Sequence, residues 1–376
     1  MMRIPTSAPR RPLFPTALLA CLLAGCAAAP ARQATAAPDL GGVRVAEAYV
    51  SAPQPGEELD SMATWRAPDG AQWLIATAKS THRLVVFDAD TGARLRDVGG
   101  KGTEDGRFKR PNGIAVAGDR VFVVERDNHR VQVLSLPDFR PLGTFGQGEL
   151  RSPYGLWLMP AADGSVDLFV TDNYMLGEHF DVVPSLETLD HRVQRYRVRF
   201  DADGRPEATA AAHFGATDET EALKIVESIA GDPAQSRLMI ADESLPHSTL
   251  REYTFAGRPT GRRIPGEPFA YEAEGVALWA CRSDATRDGP VARGYWVAVD
   301  QSAERTVFHL FDRRTLKRVG SLHGDTVAAT DGIALRTTPS PRFPHGALFA
   351  VHDDLSVAAF DLHDIATALK LDPRCF

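Results

Sequence analysis

Acidic and polar side chains recur in this chain directly before a glycine or serine and a short apolar run. Asp60, Glu227, Glu274 and Asp331 occupy that position, with Asn112 and Tyr154 at two further copies. The copies read Asp60-Ser61-Met62-Ala63, Asn112-Gly113-Ile114-Ala115, Tyr154-Gly155-Leu156-Trp157, Glu227-Ser228-Ile229-Ala230, Glu274-Gly275-Val276-Ala277 and Asp331-Gly332-Ile333-Ala334. A second polar position, after the next apolar run of each copy, holds Lys79, Arg126, Asn173, Glu243, Gln301 and Asp353. Oxygen donors without clustered Cys or His suit a hard cation, Ca²⁺ before Mg²⁺ or Mn²⁺. Crowded carboxylates repel one another unless a cation holds them. Lys79 and Arg126 are what an anionic substrate bridging to such ions would need. The same residues could instead line a water-filled channel and solvate one another, and spacing alone leaves both readings open.

What must position these residues is a repeat. Each copy is followed by a second apolar strand, at 74–77, 121–124, 168–171, 238–241, 296–299 and 348–351. A third, alternating strand comes next in most copies, as at 83–87, 130–134, 193–197 and 306–311. Turn residues such as Asp88 to Gly92 and Asp201 to Gly204 then appear, and a fourth strand closes several units. Four strands recurring at a period of roughly 50–70 residues are the signature of a β-propeller. Six units predict an all-β, six-bladed β-propeller, with an irregular β-sandwich as the alternative. In such a ring the six strand heads lie around one axis, and so do the ends of the second strands. The sixth unit lacks a closing strand, which residues 45–50 would supply. Only 219–224 and 364–371 have helix-like composition.

Composition narrows the function classes. The net charge is −7 with Lys and Arg dispersed, so no basic face argues for nucleic acid. The chain opens with Arg3, Arg10 and Arg11, an apolar run over 13–23, and then Leu23-Ala24-Gly25-Cys26. This resembles the lipobox of bacterial lipoproteins, whose cysteine is lipidated and becomes the new N-terminus. The run is short for a membrane span of roughly 20 residues. We therefore read 1–26 as a lipoprotein signal peptide with lipidation at Cys26, 27–44 as an Ala/Pro-rich tether, and 45–376 as the propeller. That implies a lipid-anchored protein of the bacterial cell envelope, with no acidic retention signal after Cys26 and hence the outer membrane as its expected destination. It touches membrane through the anchor only and is expected to be a monomer. Cys281 and Cys375 remain as a pair, and sequence does not show whether they meet.

The motifs resemble those of the β-propeller phytases, calcium-dependent 3-phytases that hydrolyse myo-inositol hexakisphosphate. Asp60 to Trp65, Tyr154-Gly155-Leu156, Glu272-Ala273-Glu274-Gly275, Asp300-Gln301-Ser302 and Ala328 to Ile333 stand in the family's order, most closely from Glu272 onward. The resemblance implies calcium ligands at Asp60, Glu227, Glu243, Glu272, Glu274, Gln301, Asp325, Asp331 and Asp353. It implies phosphate contacts from Lys79, Arg126 and Tyr154, with a phosphorylated small molecule attacked directly by metal-activated water. The chain departs from the family at Ser61, Ala115 and Asn173, and it carries an insertion over 174–190. These changes affect the part of the site that selects the substrate. Residues 110–116 and 124–133 also resemble an NHL repeat, a pattern shared by ligand-binding propellers and calcium-dependent lactonases. Those two remain the alternative functions.

Overall fold

The computed structural model describes residues 41–246, 248–264, 269–281, 285–286, 289–290 and 292–375. The expected signal peptide, Cys26 and the tether up to residue 40 lie outside the described residues.

Six sheets each contain four consecutive strands or their equivalent. Blade one comprises Leu59–Arg66, Gln72–Ala78, Arg83–Asp88 and Arg94–Gly99. Blade two comprises Pro111–Ala117, Arg120–Glu125, Arg130–Ser135 and Pro141–Phe145. Blade three runs through Pro153–Pro160, Val166–Asp172, Val193–Phe200 and Pro206–Phe214. Blade four is Val226–Asp232, Arg237–Asp242, Thr249–Thr254 and Pro259–Ile264. Blade five is Glu272–Ala280, Gly294–Gln301, Val307–Asp312 and Arg318–His323. Blade six has Ile333–Arg336, Ala347–His352 and Ser356–Asp361. Each inner strand packs on the next, and that of blade six returns to blade one. The protein is a six-bladed β-propeller.

Period-two alternation explains why the blades stack. Ile75 of blade one faces blade two with Val121 and Val123, while Leu74 and Ala76 face blade six with Phe349 and Val351. Phe122 and Val124 turn the other way, onto Leu168 and Val170 of blade three. Six apolar clusters result, one between each pair of adjacent blades. A strand buried on both faces reads as an unbroken apolar run, which is what makes the second strands stand out in the sequence.

The ring is closed by the segment before blade one. Tyr49–Val50 pairs antiparallel with Ala358 and Ala359 as the outermost strand of blade six. This is the expected closure, shortened to two residues. Val43–Arg44, in the last part of the expected tether, adds a parallel fifth strand to blade five against Leu322 and His323. The segment thus joins both blades.

The tail forms a helix over Leu362–Ala368, with Asp361 accepting the amide of His363 as its N-cap. Leu362, Ile365 and Ala366 bury against blades five and six, and Cys281 and Cys375 are joined in a disulfide. The helix-like composition of 219–224 does not become a helix; those residues form turns and an isolated bridge between Ala216 and Ala222. They lack the apolar stripe that would bury one side of a helix. No helix among the described residues is long and apolar enough to cross a membrane.

Candidate cation and anion site at the axial mouth

A backbone irregularity places the six strand heads. In blades one to five the pairing of first and second strands shifts register just after the head, at Leu59/Met62, Pro111/Ile114, Pro153/Leu156, Val226/Ile229 and Ala273/Val276. A bulge frees its residues from the ladder and bends the strand, which re-aims side chains. Asp60, Asn112, Tyr154, Glu227 and Glu274 sit at these bulges, and Asp331 just precedes blade six's first strand. The glycines beside them permit close approach of the next blade. A Cβ on Gly113 would lie 2.5 Å from the Tyr154 carbonyl oxygen, one on Gly155 2.1 Å from that of Glu227, one on Gly275 2.8 Å from that of Asp331, and one on Gly332 2.3 Å from that of Asp60. Glycine at these four positions is therefore set by packing as well as by the motif.

At the ends of the second strands, alternation separates two roles. Glu125, Asp172, Asp242 and Asp300 turn to the incoming loop and accept its amides: Lys109; Arg151 and Ser152; Ile225; and Ala270 and Tyr271, respectively. These acids are structural. Glu125, fully buried, also accepts from Arg130 Nε at 2.6 Å and Gln132 Nε2 at 2.9 Å. Of the residues that follow these acids, Asn173, Glu243 and Gln301 reach the strand-head side chains.

Two groups of side chains assemble there. In the first, Lys79 Nζ stands 3.0 Å from Asp60 Oδ2, 3.0 Å from Asp331 Oδ2 and 3.8 Å from Glu58 Oε1. Gln301 Nε2 donates to Asp331 Oδ1. Burial works against charge on Lys79, but the Asp60 and Asp331 carboxylates raise its pKa and keep it an ammonium. Burial and the Asp60 carboxylate push Asp331 up to about 6, against the pull of Lys79.

The second group is carboxylate only. Oxygens of Glu227, Glu243 and Glu274 all lie within 4.8 Å of one another. Burial holds all three well above the ordinary carboxylate range, and neighbouring carboxylates add to it: Asp60 and Asp331 act on Glu227, and Glu227 acts on both Glu243 and Glu274. Glu272 contributes to the repulsion on Glu243 and Glu274. Tyr154 hydrogen-bonds the Glu227 carboxylate, and Asn173 Nδ2 reaches Glu227 Oε1 at 3.5 Å. Glu243 Oε1 is buried without a hydrogen-bond partner, and so are the side-chain Oδ1 and Nδ2 of Asn112. A buried oxygen left unpaired is costly. Three repelling carboxylates, one with an unused lone pair, are a donor set that fits a hard cation.

Three expected site residues stand apart. Asp325 is exposed, and its carboxylate is held by Arg44 Nε and Nη2, both at 2.5 Å. The motif alone places it among the ligands, whereas the strand Val43–Arg44 supplies a surface partner. Asp353 is exposed and adopts a left-handed φ of 51° in the turn between blade six's last two strands. Arg126 is 36% exposed, and its Nε donates to Asp127 at 2.7 Å.

Other residues take up positions that motif matching overlooked. Asp354 feels the fields of Lys79 and Asp60, although burial is the main cause of its raised pKa. Arg110 Nη2 donates to Glu58 Oε1 at 3.1 Å, and its charge interacts with Tyr154 and Asp60. Arg110 and Glu58 precede the strand heads, outside the apolar pattern. The only signal in the sequence is their place, each two residues before a head, Asp60 and Asn112.

Residues 108–134 match the family profile of the NHL repeat. No curated protein sequence matches. Among solved structures, the chain is similar to hydrazine synthase of Kuenenia stuttgartiensis, with 13% identity, 87% of this chain and 82% of that one covered, and a TM-score of 0.43. A nidogen/laminin complex gives 14% identity, 75% and 87% coverage and a TM-score of 0.44. A catalytically inactive virginiamycin B lyase from Staphylococcus aureus with quinupristin gives 10%, 83% and 98%, and 0.45.

Proposed function

We propose that the protein is a calcium-dependent hydrolase of phosphate monoesters, acting on phytate or a related phosphorylated small molecule at the axial mouth. The carrying observation is the Glu227, Glu243 and Glu274 triad, whose oxygens lie within 4.8 Å of one another. These three carboxylates would hold the ion, with Glu272, Asp60, Asp331 and Gln301 around them. A bound Ca²⁺ would supply Lewis acidity and charge neutralisation toward a phosphoryl group.

The chain's own residues divide the remaining work. Lys79 is committed to Asp60 and Asp331, so it balances charge and positions those acids rather than reaching for substrate. Arg110, one hydrogen bond from Glu58, is the guanidinium on that side able to bind phosphoryl oxygens. Tyr154 holds Glu227 and would orient the bound group. With no Ser, Cys or His among the strand heads, the reading implies attack by water rather than a covalent enzyme intermediate. Lipid attachment at Cys26 belongs to the same proposal and places the enzyme on the cell envelope.

The compactness of the glutamate triad also favours a second reading, a single-ion calcium lactonase. One set of assays separates the two: phosphate release from phytate and simple monoesters, and ring opening of a lactone panel, each with and without Ca²⁺. Calcium-dependent phosphate release supports the proposal, and calcium-dependent lactone opening alone replaces it. Turnover of neither, with calcium still raising the melting temperature, would make the protein a non-enzymatic ligand-binding propeller.

A further inference from the structure

Five of the eight exposed large apolar side chains among the described residues stand on loops at the mouth end of blades three to five. Leu176, Phe180 and Val182 belong to the connection between blade three's second and third strands, Leu245 to the same connection in blade four, and Tyr271 to the loop entering blade five. These loops leave the ring at the strand heads, since Asp172 pairs with Pro153, Asp242 with Val226 and Gln301 with Glu272. Phe180 is 74% exposed and the other four between 45% and 60%. Apolar residues scattered singly over a surface mean little, but a group of them at one site marks a surface that something covers. Blade three's loop is built to hold its apolar tip out. At its root Tyr174 is buried and donates to the Thr188 carbonyl, with the Arg151 and Arg192 guanidinium groups over its ring at 4.5 and 4.4 Å from the centroid. Leu176 and Val182 exchange backbone hydrogen bonds of 2.8 and 3.0 Å, which close the turn that carries Phe180. A loop fastened at root and neck keeps Phe180 in water instead of letting it fold onto the blade.

We propose that the mouth takes phosphate monoesters of apolar alcohols, alkyl or aryl, with the phosphoryl group at the ion site and the apolar body laid on this rim. The inference rests on the phosphomonoesterase reading for the head group and adds the body. Leu176 is three residues from Asn173, Leu245 two from Glu243, and Tyr271 adjoins Glu272. Backbone to backbone, each of the three is within about 11 Å of a mouth residue. All three loops thus start from the mouth, so a ligand held there is the occupant that reaches every one of them. Charge points the same way. Lys79 is spent on Asp60 and Asp331, and Asn173 is neutral. A Ca²⁺ on the glutamates and the Arg110 guanidinium would be left to meet the ligand. Those two suit the single dianion of a monoester, whereas a polyphosphorylated polyol would bring further charges up against Glu272, Asp60 and Asp331. The rim instead offers burial to an apolar body, whose transfer out of water is favourable in proportion to the area covered.

The test titrates the full-length, calcium-loaded chain calorimetrically with ethyl-, butyl- and octylphosphonate, which carry the head group without an ester bond to cleave. Octylphosphonate should bind at least about tenfold more tightly than ethylphosphonate, a difference of roughly 1.4 kcal/mol, and inorganic phosphate should displace it. Phe180→Ser should move that ratio toward one, and Phe180→Leu should restore it. Circular dichroism and the melting temperature of both variants should match the wild type, as expected for an exposed side chain. Phosphate release from ethyl and octyl phosphate judges the hydrolase reading separately. No release, with octylphosphonate still the tighter ligand, would discard hydrolysis and uphold the site for apolar phosphates. Equal binding of the ethyl and octyl compounds, or a ratio unmoved in Phe180→Ser, would overturn the proposal even if both esters are cleaved. So would a flat series in a wild type that self-associates, or binds phosphatidylethanolamine vesicles, more tightly than Phe180→Ser. That result would give the rim to a second copy or to a lipid surface.

Discussion

Arg313 of blade five reaches across to Asp232 at the end of blade four's inner strand, with Nε 2.7 Å from Oδ2 and Nη2 2.5 Å from Oδ1. Asp232 is fully buried, and Gln235 Nε2 also donates to Oδ2 at 2.8 Å. The pair fastens two blades at the end of the ring opposite the acidic mouth. A propeller resists opening only as well as its weakest blade interface, so this contact bears on the whole fold.

Burial alone would raise the Asp232 pKa, but the Arg313 hydrogen bonds and charge hold it below the ordinary aspartate value. A lowered folded-state pKa gives stability that is present above the unfolded value, near 3.8, and is lost as pH falls through the folded one. Asp232→Asn should cost roughly 3–5 kcal/mol at pH 7, because it leaves Arg313 buried and unpaired. Urea denaturation at pH 7 and at pH 3 measures it. The gap between wild type and variant should narrow at the lower pH, and a gap that widens would contradict this account.

The close approach at the ring glycines makes a second prediction. In Gly155→Ala the new methyl would stand 2.1 Å from a backbone oxygen of Glu227, and backbone cannot swing aside as a long side chain can. Overpacking of this kind typically costs about 1–3 kcal/mol. The equivalent position in blade four already carries a Cβ, so Ser228→Ala should stay within about 0.5 kcal/mol of wild type. Thermal melts of the two variants decide it, and equal destabilisation would show that the contact is not the reason for glycine.

The same glycines made the architecture readable in advance. A polar residue, then Gly or Ser, then an apolar run marks each inner strand, because a polar group at the axis coincides there with a close backbone neighbour at four heads and with a bulge in blades one to five. The second strands were legible because both faces are buried. The site was less so. The acids Asp172, Asp242 and Asp300 look like Glu243 in a one-dimensional list, yet alternation turns them to the incoming loops. Asp325 looked like a ligand until Arg44, 281 residues away, proved to be its partner. Arg110 and Glu58 lie outside the apolar pattern, and only the ring brings them together. What a repeat can show is which positions share a level around the axis. It does not show which of them a distant segment has already claimed.

The cation reading makes a prediction that separates true ligands from surface acids. A ligand that binds only the folded chain stabilises it by about 2.7 kcal/mol at one hundred times its dissociation constant. EDTA should therefore lower the melting temperature and excess Ca²⁺ restore it by several degrees. Glu274→Gln should abolish most of that response. Asp325→Asn should leave it unchanged, because its carboxylate is spent on Arg44 at the surface. Loss of the calcium response with Asp325→Asn, or its survival in Glu274→Gln, would refute this assignment of the site.

The anion-binding side of the mouth gives the sharpest contrast, since two arginines of blade two compete for the role. Arg126 follows the second strand, where the motif places a phosphate contact, but it is paired with the adjacent Asp127 and 36% exposed. Arg110 stands beside Glu58, in the field of Asp60 and Tyr154. A charge-assisted hydrogen bond contributes about 1.5–3 kcal/mol, and a tenfold change corresponds to about 1.4 kcal/mol. Arg110→Ala should then lower kcat/KM on phosphate monoesters by roughly ten- to a hundredfold, with Arg126→Ala within about twofold of wild type. Lys79→Ala should behave differently from both. It strips Asp60 and Asp331 of their shared ammonium and should lower the melting temperature together with turnover. Steady-state kinetics and melts on the three variants make the comparison, and a large kinetic loss confined to Arg126→Ala would return the phosphate contact to that residue.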